Sequence, residues 1–102
     1  MLLEWETATE IDNLGFNLYR SESAGGPRNQ LNQGLIPGQA PGSPVGAVYT
    51  WQDQEVETGT TYYYWLEDVD THSAATQHGP VSAAPSQRLL TVYRVFLPFA
   101  SK

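Results

Sequence analysis

A chain of 102 residues without a cysteine makes one domain, and it excludes thiol catalysis and cysteine-based zinc sites. Five Lys and Arg against eleven Asp and Glu give a formal net charge of −6, and the single Lys is Lys102. Phosphate binding draws on clustered cations, so nucleic acid and anionic membrane surfaces are excluded as partners, and the charge reads as solubility.

Residues 2–7 alternate: Leu3, Trp5 and Thr7 share one face, and Glu4 and Glu6 the other. That pattern predicts a half-buried strand with Trp5 inward. With Glu4, Glu6, Glu10 and Asp12 and no basic residue, this start is not a signal peptide. A strand directly after Met1 suggests a piece of a longer polypeptide, with any signal sequence elsewhere. Residues 8–15 read as a polar connection anchored by Leu14. Residues 16–21 form a second strand, with Phe16 and Leu18 on one face and Asn17 and Tyr19 on the other. Gly25-Gly26-Pro27 closes it with a turn.

Residues 29–47 are the least regular. Leu31, Leu35 and Ile36 suit a short edge strand or an anchoring turn. Pro37-Gly38, Pro41-Gly42 and Pro44 then stop helix and ladder alike. A loop of this length is either functional or packed down, here by Leu35, Ile36 and Val45. Residues 48–53 form a strand with Tyr49 and Trp51 inward. Residues 60–70 hold the densest aromatic run and read as the central strand. Alternation puts Tyr62, Tyr64 and Leu66 in the core and Tyr63 and Trp65 outside. Residues 74–83 give a strand bent or interrupted at Gly79-Pro80. Residues 88–98 are apolar on both faces: Leu89, Tyr93, Val95 and Leu97 on one, Leu90, Val92 and Phe96 on the other. Such a strand must be covered. No apolar run approaches the ~18 residues of a membrane helix. Short strands, Gly/Pro-rich turns and no credible helix predict an all-β antiparallel sandwich.

Leu3-Glu4-Trp5, the run from Gly15 to Ser21 and the run from Val56 to Tyr62 resemble, in order, strands of a fibronectin type III domain. The variant of large bacterial surface and secreted proteins is more similar, on Leu35-Ile36-Pro37, Pro44-Val45-Gly46 and Tyr49-Thr50-Trp51. The resemblance covers residues 2–83. It implies an immunoglobulin-like sandwich with Trp5, Phe16, Leu18, Trp51, Tyr62, Tyr64 and Leu66 structural. It also implies a corner at Tyr62, whose hydroxyl bonds back to nearby backbone. The family's first strand is missing and residues 88–98 are extra, so residues 1–87 are expected to form the sandwich. Residues 88–102 should then add a strand and tail, packed on the same sandwich or exchanged with a second chain. The expected partner of this strand is residues 2–7. A tight return would run parallel to them, whereas an antiparallel fit needs a longer connection or a neighbouring chain.

No nucleophile elbow, zinc-protease helix, phosphate loop or dinucleotide fingerprint is present, so no catalytic residue and no cofactor is expected. His72 and His78 near Asp68 and Asp70 match no ligand spacing. Glu67, Asp68 and Asp70 lack the alternation of a calcium loop, leaving at most weak calcium binding there. The informative feature is the outer face, where Tyr19 should join Tyr63 and Trp65. It is either a binding surface or a face covered by the Pro-rich loop or the last strand. The expected function is a non-catalytic structural or protein-interaction module of a larger extracellular or cell-surface bacterial protein. Its partners would be other proteins, neighbouring domains or a second copy through the last strand. The alternative is a carbohydrate-binding accessory module using Tyr19, Tyr63 and Trp65.

Overall fold

The computed structural model describes residues 1–85 and the strand Arg94–Leu97. The strands are β1 (Leu2–Glu6), β2 (Asn13–Ser21), β3 (Asn29–Gln30), β4 (Ile36–Pro37), β5 (Val48–Gln52), β6 (Tyr62–Asp70), β7 (Ala75–Ala83) and β8 (Arg94–Leu97). They form two sheets. One has the order β5-β1-β8, the other β3-β2-β6-β7 with β4 also on β2. The fold is an all-β sandwich, and every described pairing but one is antiparallel. The exception is β8, which lies parallel to β1 with Leu3 opposite Val95 and Trp5 opposite Leu97.

Between the sheets, the predicted alternation holds. Leu3, Trp5, Phe16, Leu18, Tyr49, Tyr62, Tyr64 and Leu66 form the core. Trp51 packs against it while half-buried. The Trp5 and Tyr49 rings stack at 5.4 Å and 3°, and both meet the Phe16 ring edge-on. This cross-sheet aromatic cluster adds specific ring contacts to its area burial.

Leu14 is not an anchor but exposed. Asn13 pairs with Asp70 and Gly15 with Val69, so Leu14 is the extra residue of a bulge and is turned outward. Gly15 follows because a Cβ there would lie 2.3 Å from the Ile36 carbonyl oxygen.

The long loop is also held differently from the expectation. Ile36 packs on the core, but Leu35 and Val45 are exposed. The anchor is instead a polar knot around Glu10, whose side chain has no exposed surface. Its carboxylate accepts from Thr7 Oγ1 at 2.6 Å, from Asn13 Nδ2 at 3.0 Å and from the Tyr49 hydroxyl. Its backbone ties down the loop: Glu10 N–H donates to the Ser43 carbonyl, and Gly42 N–H to the Glu10 carbonyl, both at 2.8 Å. Gln39 N–H donates to the Tyr49 hydroxyl. Burial would raise the Glu10 pKa, but the bonds from Thr7, Tyr49 and Asn13 outweigh it and hold it below 4.5. Tyr49, buried and bonded to that carboxylate, is pushed up to about 12.

Candidate functional site

The outer face of the larger sheet is set by register. Tyr19 on β2 lies opposite Trp65 on β6, and Ser21 opposite Tyr63. Trp65 falls between two core residues, Tyr64 and Leu66, and points away from the core as alternation demands. It is nevertheless only 2% exposed, and Tyr19 and Tyr63 are half-buried. Of the two expectations for this face, the open binding surface is corrected: the cluster is covered, and among the described residues Arg28 and Gly79 lie against Trp65. The Arg28 guanidinium sits 4.0 Å from the Trp65 ring centroid, a cation–π contact. Along the ring edge, β7 carries an extra residue between the partners of Tyr64 and Leu66. That bulge brings Gly79, at φ 128°, so close that a Cβ would lie 3.1 Å from Trp65 Cδ1.

Around the ring the surface is a polar lattice. Arg28 Nη1 donates to Gln77 Oε1. Glu67 accepts from Asn17 Nδ2 at 2.8 Å, the Tyr19 hydroxyl at 3.2 Å and Gln77 Nε2 at 3.3 Å. Asn32 Nδ2 and Gln30 Nε2 donate to Asn17 Oδ1. Burial, then the charge and hydrogen bond of Glu67, raise the Tyr19 pKa. The hydrogen-bonding capacity of this face is largely spent on itself.

Sequence reasoning missed a second location. Arg20 Nη1 meets both oxygens of Asp53, at 2.8 and 3.0 Å, and Tyr64 donates its hydroxyl to the same carboxylate at 2.8 Å. Burial would lower the Arg20 pKa, but the bonds and charge of Asp53 raise it; burial and then Asp53 raise that of Tyr64. The ion pair walls a groove of about 490 Å³ where the sandwich opens between β3 and β5, with Leu31 and Trp51 on its lining. The signal was present. Arg20 continues the inward face of Phe16 and Leu18, and Asp53 that of Tyr49 and Trp51, so two opposite charges were aimed at one interior.

The histidines form no metal cluster with their neighbours. His78 Nε2 lies 2.6 Å from Asp68 Oδ2. Asp70 Oδ1 accepts the backbone N–H groups of His72 and Ala74, closing a turn. Among the described residues no three His, Asp or Glu side chains are gathered as a metal ion requires. Of the C-terminal candidates, Leu89, Leu90, Val92 and Tyr93 lie outside the described residues. Val95, Phe96 and Leu97 belong to β8, opposite Leu3, Glu4 and Trp5.

No family, no curated protein and no solved structure matched the chain in three separate comparisons.

Proposed function

We propose that the chain is a non-catalytic structural and protein-interaction module, fibronectin type III-like, of a larger bacterial protein outside the cell or on its surface. The observation that carries this reading is the closure of the outer aromatic face. A sugar ring stacks on an open aromatic surface, and Trp65 lies under Arg28 and against Gly79. The family reading draws support from Tyr62, whose hydroxyl accepts the backbone N–H of Glu57 at 2.8 Å. That is the upstream backbone bond a tyrosine corner makes. The fold alone assigns no activity, because sandwiches host many roles.

Native electrophoresis through gels containing soluble polysaccharides tests the reading. Mobility relative to an inert reference protein is expected to be the same with and without each polysaccharide. Retardation that disappears in Trp65→Ala would replace the module with a carbohydrate-binding one.

A further inference from the structure

The smaller sheet ends on β5, and the direction of its backbone groups follows from the bonds at its two ends. Thr7 N–H donates to the Ala47 carbonyl, and Asp53 N–H to the Met1 carbonyl. Residues 47, 49, 51 and 53 therefore aim their N–H and C=O groups at β1, which leaves those of Val48, Thr50 and Gln52 aimed away from it. The Val48 carbonyl confirms the parity by accepting Gln39 Nε2 from that side. Among the described residues no strand pairs with β5 there. The unpaired stretch is thus Thr50 to Gln52, with Gln39 closing the Val48 end.

Trp51 and Gln52 of this stretch line the groove beside Arg20 and Asp53, together with Leu31 and Glu55. We propose that this edge and groove form a peptide-binding site, taking an extended segment as an added antiparallel strand on β5. The proposal rests on the reading of the chain as an interaction module and names its docking site. Main-chain bonds to Thr50 and Gln52 supply the pairing. A residue opposite Trp51 shares its face and enters the groove, so an apolar side chain is selected there. The Asp53 charge is matched by Arg20. What remains is Glu55 on a chain of net charge −6, which selects a basic flank on the peptide.

The probes are fluorescent peptides of about ten residues, alternating Thr and Val, with Leu, Phe or Gln at the centre and Lys or Glu at the ends. Anisotropy is read on the full chain. Expected is saturable binding that favours Leu or Phe over Gln and Lys over Glu. N-methylation of the two residues flanking the centre, whose N–H groups would face β5, should weaken it by about tenfold or more. N-methylation of the central residue, whose N–H faces away, should not. Thr50→Pro removes a donor that no strand uses, a substitution edge strands tolerate; it should abolish binding while the melting curve stays in place. If that variant unfolds, the N-methyl pair on the unaltered protein decides alone. No binding of any peptide up to about 1 mM, or equal effects of the two N-methylations, overturns the site. So does protection of the Thr50 and Gln52 amides from hydrogen exchange that rises with protein concentration alone, which would assign the edge to a second copy. Loss of this site leaves the polysaccharide result untouched, so the two readings fail separately.

Discussion

Glu10 is a fully buried carboxylate at the centre of a polar knot. A carboxylate with no exposed surface is tolerable only if its lone pairs are filled, and Thr7, Asn13 and Tyr49 fill them. Glu10→Gln keeps the shape but puts a donor where an acceptor is needed, so the variant should lose about 1–3 kcal/mol at neutral pH. The pH dependence has a definite sign. The folded-state pKa lies below the ordinary 4.5, so the unfolded chain binds the proton first as the solution is acidified. The stabilisation is complete above 4.5 and disappears as pH falls through the lower folded value. Urea melts of both proteins from about pH 7 to pH 3 check this. The gap between them should be widest at neutral pH and narrow in acid, and a constant gap would mean that ionisation contributes nothing.

At the scale of elements, alternation made the strands legible, and interruptions of alternation hid the rest. The inward residues of β1, β2, β5 and β6 follow from a period of two. The bulge at Leu14 reverses that residue's side, and nothing in its local composition announces it. The cover on Trp65 comes from Arg28 and Gly79, remote in sequence from the strand they shield. Arg20 and Asp53 occupy inward positions of their strands, so alternation carries a signal for the ion pair that sequence reasoning passed over. In the loop around β4, Ile36 is the apolar anchor that composition shows, while the remaining holding falls to backbone groups and the Glu10 carboxylate, which composition does not mark. The loop's close approach to β1 gives a test. A Cβ on Gly46 would sit 1.7 Å from the Thr7 carbonyl oxygen, whereas one on Gly25 would meet nothing within 4 Å. Gly46→Ala should therefore cost about 2 kcal/mol or more as the loop is forced off the strand. Gly25→Ala should change stability by no more than about 0.5 kcal/mol. Similar melting curves for the two would place the loop further from β1.

For the whole molecule, what matters is how each sheet treats its borders. In β1 the backbone groups of Leu2, Glu4 and Glu6 point away from β5, by the same parity that frees Thr50 and Gln52, and β8 occupies that side. β8 is thus the one parallel strand on a sheet whose other described pairing, β1 with β5, is antiparallel. Removing residues 88–102 would expose this border of β1, and among the described residues would leave a sheet of two strands with no strand on either border. Two-stranded sheets are marginal on their own, and bare edges recruit other chains. In light scattering after gel filtration, the full chain should run as a monomer. A chain ending at Gln87 should melt lower and elute as larger, concentration-dependent species. A full-length dimer that becomes a stable monomer on truncation would mean that β8 is traded between two copies, and association would then enter the function through β1 rather than through the groove beside β5.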